Sequence, residues 1–521
     1  MRRSTGAVAF GLLLSAVIAA PTPATSAIAR PNVVVILTDD MRWDEMENMP
    51  NVSGLLATRG VTFTHAYLPN SLCCPSRSTT LTGQFSSRTG VWNNSYTSSS
   101  PYGGFKSFKP HEGNTLAVWL QNAGYRTGLV GKYLNQYTAN AAKTAADPTG
   151  LQPRRGWDSW HAFINAGTGS GPPAYYDYTL DDQGVAVFHG SSPQDYSTTV
   201  LGNEAVQFVQ STPASQPFFL YFAPYGPHTP FTPAPGDTSA LPNCAAGQTP
   251  PGCYKKMTVA APGACPVQTG LPPFCSENIY ESNVSDKPAW VRNLPATGVA
   301  PNTTRKLQEQ TLLSVDREIG DLVDAVIARG ELSTTMFVFT SDNSLSNGSH
   351  RWTEKETAWE EAIHVPMVVR YDPLTAGLSN RVESTHMVLN ADLAPTVLDL
   401  TGVTAPSGYP SDGRSWLPLL ASPNASVSWR TAFPLEHLQK NATTNPPSYC
   451  GVRTKGHGTL TGQWKYIRYV NGQTELYNLN ADPFELRSLS SNPTYAAQLQ
   501  TLDALARNLC NPPPPGYSWP S

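Results

Sequence analysis

The sequence predicts an α/β protein, and three observations carry that reading. Val33-Val34-Val35-Ile36-Leu37 and Met336-Phe337-Val338-Phe339 are continuous apolar runs, the pattern of strands covered on both faces. Amphipathic stretches separate runs of this kind. The chain has 521 residues, past the length at which one core usually stops growing, so two domains are expected. With 40% apolar residues and a formal charge of −3, it has no basic excess for nucleic acid.

Met1-Arg2-Arg3 and the apolar run from Ala7 to Ala20 read as a secretory signal. Ala27-Ile28-Ala29 offers a cleavage site, so residues 1–29 are expected to be removed and the mature chain exported. The run falls short of the ~20 residues a membrane span needs, and no stable membrane partner is expected. The cysteines agree with an oxidising compartment. Besides Cys73 and Cys74 there are six, and closeness in sequence suggests Cys244–Cys253, Cys265–Cys275 and Cys450–Cys510 among the pairings they allow.

The first apolar run ends in Thr38-Asp39-Asp40 and the later one in Thr340-Ser341-Asp342-Asn343. In open α/β sheets the ligand crevice lies outside the carboxyl ends of the strands. Asp39 with Asp40, and Asp342 with Asn343, therefore suit a hard divalent cation there, calcium or magnesium, better than zinc. Gly128-Leu129-Val130-Gly131 runs into Lys132. Phe218–Ala223 runs into Pro224-Tyr225-Gly226-Pro227-His228, whose Pro/Gly approach fixes His228 near the same edge.

Cys73-Cys74-Pro75-Ser76-Arg77 reads as a helix start, with Pro75 suited to the first position. Cys73 then sits where free N–H groups and the helix dipole favour an anion. Arg77, one turn on, returns to the same spot. A sulfur nucleophile would gain from such a setting, because positive potential stabilises a thiolate; the plain alternative is a buried thiol beside a helix cap.

Cys73-x-Pro75-Ser76-Arg77-x-x-x-Leu81-Thr82-Gly83 resembles the signature of the type I, formylglycine-dependent sulfatases. The doubled cysteine and Tyr133-Leu134-Asn135 are most similar to the N-acetylglucosamine-6-sulfatase branch, including the heparan sulfatases. The resemblance covers roughly residues 32–489. It implies an alkaline-phosphatase-like sulfatase fold: a large mixed sheet flanked by helices over 30–405, then a small C-terminal antiparallel sheet with a helix over 406–521. It implies hydrolysis of a sulfate monoester, on a sulfated sugar such as N-acetylglucosamine 6-sulfate or on an aryl alcohol. It also implies that a formylglycine-generating enzyme oxidises Cys73 to Cα-formylglycine before folding, so that a hydrated aldehyde is the nucleophile. Proline at +2 and arginine at +4 single out Cys73; Cys74 has Ser76 and Ser78 there.

Carried over residue by residue, the resemblance places residue 73 with Asp39, Asp40, Asp342 and Asn343 around one Ca²⁺, with Mg²⁺ second. Arg77 holds the nucleophile, and Lys132, His228 and Lys355 surround the sulfate. Lys355 is matched through the run Trp359-Glu360-Glu361 and His364-Val365-Pro366 that follows it. Leu134 departs from the histidine most sulfatases have there, and Gln84 from an arginine or lysine. Asn135 and His350 are candidates to replace that histidine, although His350 reads as a surface turn. The same scaffold would serve a phosphoester or phosphonate monoester hydrolase. An unmodified Cys73 would leave a sulfated-glycan-binding protein.

Elsewhere, about 305–329 reads as a helix with Val315, Ile319, Leu322, Val323 and Val326 as its apolar stripe. Gly330 is its expected C-cap, and Asp316, Arg317 and Glu318 its solvated face. The Pro-, Gly- and Cys-rich stretch 234–300 is expected to form a stapled excursion beside the site. Asp392 to about Gly402 reads as a helix. Trp464–Tyr469 and Glu475–Leu479 read as short strands, with a closing helix over about 496–509.

Overall fold

The computed structural model describes residues 1, 30–164, 175–245, 247–255, 281, 283–295, 301–375, 380–423, 425–441 and 443–520. The expected signal and the Cys265–Cys275 pair lie outside the described residues.

Asn32–Thr38 sits mid-sheet, and all seven of its residues are buried. Its odd positions, Val33, Val35 and Leu37, pack on one face with Phe219, Met336 and Val338. Val34 and Ile36 pack on the other with Phe218, Leu220, Phe337 and Phe339. Successive side chains point to opposite faces, so a strand buried on both sides must be apolar throughout. Among the described residues the large sheet has ten strands, in the order 381–383, 61–63, 367–370, 335–341, 32–38, 218–223, 126–131, 159–163, 178–182, 185–189. The five strands from 335–341 to 159–163 run parallel, and the pairs beyond 335–341 and 159–163 include antiparallel ones. Thr38 pairs with Ser341 and Gly131 with Ala223. Four neighbouring strand ends therefore deliver Asp39-Asp40, Asp342-Asn343, Lys132 and the loop to His228 to one edge.

Gly131 makes this edge possible. It has φ 117°, and an added Cβ would overlap the Ala223 carbonyl of the neighbouring strand. Lys132 can then leave the sheet immediately, its own N–H donating to Ala223 O at 2.8 Å.

The long helix runs Pro301–Ala328, four residues earlier than expected, and Gly330 follows with φ 70°. Its expected solvated face is corrected. Asp316 is buried and accepts the N–H groups of Asn51 and Val52, both at 2.9 Å, at the start of the short helix Val52–Ala57. Glu318 is buried against Gly202 of the helix Ser197–Ser211. Arg317 is half-exposed and pairs with Asp237 at 2.8 Å.

Four antiparallel strands, Ala432–His437, Tyr449–His457, Leu460–Tyr469 and Thr474–Asn478, form the small sheet. The helix Ala496–Leu509 packs Leu502 and Ala506 on Val452, Trp464 and Tyr466. The sheet meets the main body through Tyr67, Trp290, Trp359, Phe433 and Tyr469. The expected Cys244–Cys253 and Cys450–Cys510 bonds are present.

Glu436 in this small sheet is fully buried and accepts the Ser86 N–H at 2.8 Å. Burial pushes its carboxyl up to about 8. A folded-state value above the unfolded one, about 4.3, means that the stability contribution is full below the unfolded value and is lost as pH rises toward 8. Glu436→Gln should therefore flatten the fall in Tm between about pH 5 and pH 8. An unchanged slope in pH-resolved melts would contradict this.

Candidate active site

The helix Cys73–Thr82 is buried along its whole length although most of its residues are polar. It is tolerated because its hydroxyls bond back to the preceding turn: Ser78 to Cys74 O at 2.7 Å, Thr80 to Ser76 O at 2.9 Å and Thr82 to Ser78 O at 2.7 Å. Extended Leu72 leads in, and Gly83 closes it with φ 72° and its N–H on Thr79 O. Pro75 is the third helical residue rather than the first, still within the turn where no intrahelical N–H bond is lost. Cys73 is the first, with its side chain facing the strand ends.

There the sequence-derived residues converge. Lys132 Nζ donates to Asp39 Oδ2 at 2.5 Å, and Lys355 Nζ to Asp40 Oδ1 at 2.5 Å. Lys355 Nζ also lies 2.9 Å from Cys73 Sγ, whose thiol faces Asp39 Oδ1 at 3.7 Å. Arg77 Nε donates to Asp342 Oδ2 at 2.7 Å, Nη1 to Lys132 O at 2.7 Å, and Nη2 faces Asp39 at 3.6 Å. Arg77 thus clamps the helix to the strand ends. His228 Nδ1 donates to Thr229 O at 2.8 Å, which leaves Nε2 toward Asp40 Oδ2 at 3.5 Å. Asp40 itself adopts φ 70°, a conformation non-glycine residues rarely take and one that the surrounding contacts must hold.

Burial opposes each of these charges, but paired neighbours outweigh it. Lys132, His228 and Arg77 hold the Asp39 carboxyl below its usual range; Lys355 and His228 do the same for Asp40. Lys132 and Lys355 are raised in turn by Asp39 and Asp40. The thiol does not follow. Burial pushes Cys73 up to about 12 despite Lys132 and Lys355. The helix end and the cations that would favour a thiolate are there, but desolvation wins.

Asp39, Asp40, Cys73 and His228 bring ligand atoms within 4.8 Å of one another. Asp342 stands one contact back, its Oδ1 accepting the Asp40 N–H at 3.2 Å. Asn343 donates to Asp40 Oδ1 at 2.5 Å, and its buried Oδ1 has no hydrogen-bond partner. Clustered carboxylates and an orphaned amide oxygen fit a hard divalent cation. Cys73 Sγ occupies the place a formylglycine hydroxyl would take, which makes that donor oxygen as well.

The sulfatase family profile matches residues 31–403, and a profile described as N-sulphoglucosamine sulphohydrolase, C-terminal, matches 348–510. The chain is 30% identical to human N-acetylglucosamine-6-sulfatase over 499 residues, 88% of this chain and 81% of the human protein. The chain belongs to the sulfatase family. It is a sulfuric ester hydrolase, of a family that works through formylglycine and a divalent metal. Arylsulfatase of Chlamydomonas reinhardtii is 28% identical over 515 residues, 91% of this chain and 74% of that protein. Among solved structures, a protein in complex with its substrate D-glucosamine-2-N,6-O-disulfate aligns with TM-score 0.67 at 24% identity, over 94% of this chain and 100% of that one. Phosphonate monoester hydrolase of Agrobacterium radiobacter aligns with TM-score 0.66 at 19% identity, over 92% and 95%. These two share the fold, which is the alkaline-phosphatase-like sulfatase fold expected.

The sulfatase's departures from the family pattern also find their places. Leu134 is buried in the core beside the sheet, and Gln84 bonds the Pro410 carbonyl at 2.7 Å beyond the far end of the helix Cys73–Thr82. Asn135 is buried with an unpartnered Oδ1, its backbone carbonyl accepting from Phe105. His350 is no surface residue. It is fully buried, its ring centroid 4.4 Å from that of Trp359 and tilted by 38°, with Nδ1 2.8 Å from Glu281 and Nε2 3.6 Å from Glu361. Burial works against its charge, but the bonded Glu281 carboxylate and the nearby Glu361 carboxylate prevail and hold it at about 9. Glu281, 69 residues away in sequence, gave no signal before folding. This ion cluster anchors the loop that presents Lys355. Trp352 Nε1 to Lys355 O at 2.8 Å and Tyr449 OH to Glu356 O at 3.1 Å complete the support.

Replacing His350 by Phe would take one cation from two buried carboxylates, leaving Glu281 with Lys287 at 3.6 Å, at a cost of about 3–5 kcal/mol. Chemical denaturation should show that loss; a variant as stable as the parent would contradict the buried ion cluster.

Proposed function

We propose that this sulfatase removes the 6-O-sulfate of a glucosamine unit such as N-acetylglucosamine 6-sulfate, acting outside the cytoplasm. One observation carries the chemistry: residue 73 lies under Lys355, beside Asp39, and within reach of His228. The substrate is supported by the curated N-acetylglucosamine-6-sulfatases of human and goat, at 30% and 29% identity. The neighbour solved with a 2-N,6-O-disulfated glucosamine supports it too. Export is supported by the pattern of residues 1–29 and by an extracellular sulfatase of Drosophila melanogaster, 30% identical over 80% of this chain and 34% of that protein. Among the described residues no helix is long and apolar enough to cross a membrane.

Asp39, Asp40, residue 73 as formylglycine, Asp342 and Asn343 would hold Ca²⁺, with Mg²⁺ as the lesser fit. When bound, the ion supplies Lewis acidity at the nucleophile and neutralises sulfate charge. Cys73 would be converted by a formylglycine-generating enzyme, and the hydrated aldehyde carries two hydroxyls on one carbon, one to take the sulfuryl group and one to release it. Lys132 and Lys355, fixed as ammonium groups by their carboxylates, bind sulfate oxygens where charge develops. His228, tethered through Nδ1, presents Nε2, and either it or Lys355 gives the leaving alcohol its proton. Arg77 keeps the helix and the strand ends in register.

A screen on N-acetylglucosamine 6-sulfate, an aryl sulfate and an aryl phosphate tests this. Turnover of the sugar sulfate is expected, with phosphate ester slower by about 10²-fold or more, since one cation set is matched to one anion. Phosphate turnover above sulfate turnover would favour the phosphoester reading. Lys132→Ala should lower kcat/KM by about 10²–10³-fold, the size seen when one oriented oxyanion donor is lost. Exhaustive chelation should abolish turnover and Ca²⁺ should restore it; full activity without metal would contradict the ligand set.

A further inference from the structure

Beside the catalytic cluster lies a cavity with Asp40 at its floor. Thr229 and Phe231, which follow His228, form one wall, and Leu345, Thr353 and Glu354 form another. The alcohol leaving from a sulfate held at residue 73 has this space to occupy. Apart from Asp40, its lining is neutral except for one position. Among the described residues, Glu354 is the only charged side chain there besides Asp40, and no arginine or lysine lines it.

Glu354 is exposed, but its backbone is fixed. Its carbonyl accepts the Ser346 N–H at 3.1 Å, and the next residue, Lys355, is tied to Asp40 and by its own carbonyl to Trp352. Glu354 is thus carried on a fixed backbone at the cavity lining, while Lys132 and Lys355 stand at Asp39, Asp40 and residue 73. Hydroxyl, acetamide and ammonium groups can donate to the Glu354 carboxylate. A second sulfate, a sulfamate or a carboxylate on the substrate would meet like charge.

We propose that Glu354 is a specificity-determining residue that restricts this sulfatase to substrates carrying a single anionic group, favouring N-acetylated over N-sulfated glucosamine 6-sulfate. The choice of sugar rests on the function proposed above; the charge rule does not. It sets this chain apart from the structural neighbour, whose substrate carries two sulfates.

The test compares kcat/KM within two substrate pairs. One pair is N-acetylglucosamine 6-sulfate against N-sulfoglucosamine 6-sulfate. The other is 4-nitrophenyl sulfate against its ring-carboxylated analogue. The parent should favour the singly anionic member of each pair by about tenfold at low salt, and less at about 0.5 M NaCl, where charge is screened. Glu354→Gln should bring both ratios within about threefold, and Glu354→Lys should reverse them. Ratios that ignore salt in the parent, or that stay unchanged in Glu354→Gln, would overturn the inference. Discrimination in the aryl pair with neither sugar turned over would reject the sugar substrate and leave the charge rule standing.

Discussion

Three carboxylates and three cations share one buried space at the carboxyl edge of the sheet. Asp39, Asp40 and Asp342 face Arg77, Lys132 and Lys355, with relative exposures of 8% or less throughout. In such surroundings a charge is tolerable only when paired, and losing one partner costs about 3–5 kcal/mol. Each pairing therefore fixes the positions of the others. It fixes Asp40 in its unusual backbone conformation, and it fixes the helix Cys73–Thr82 against the strands through Arg77. The arrangement is possible because four neighbouring parallel strands end in register, one of them on a glycine that lets the next residue turn away.

This balance also decides what chemistry residue 73 can do. Asp39 and Asp40 are held ionised and Lys132 and Lys355 protonated by one another, so both ammonium groups stay charged beside residue 73. The unmodified thiol, in the same burial, stays protonated up to about 12. A cysteine is thus poorly placed to act by ionising. An aldehyde hydrate on the same carbon frame would differ in carrying two hydroxyls, one to take the sulfuryl group and one to expel it.

Much of this was legible in the chain. Val33–Leu37 and Met336–Phe339 could be read as central strands because burial on two faces demands unbroken apolar runs. Asp39, Asp40, Asp342 and Asn343 could be placed because strand ends are where such sheets bind ligands. Lys132, His228 and Lys355 followed from their matches to the family pattern. What escaped was burial of polar residues by distant partners. Asp316 finds its N–H donors at Asn51 and Val52, and His350 finds Glu281, which local periodicity does not reveal. For Cys73 the local dipole was readable but desolvation was not, because it depends on everything packed around the helix.

The central claim is that an active site built from paired buried charges works through a converted residue 73. The decisive measurement is the mass of the peptide carrying residue 73, taken from protein of known specific activity. Conversion of CH₂SH to CHO lightens it by ~18 Da (a more oxidised side chain, set against the oxygen-adding steps of ordinary thiol oxidation). The account predicts that activity scales with the lighter fraction. Full activity in material bearing only the unmodified thiol would contradict it.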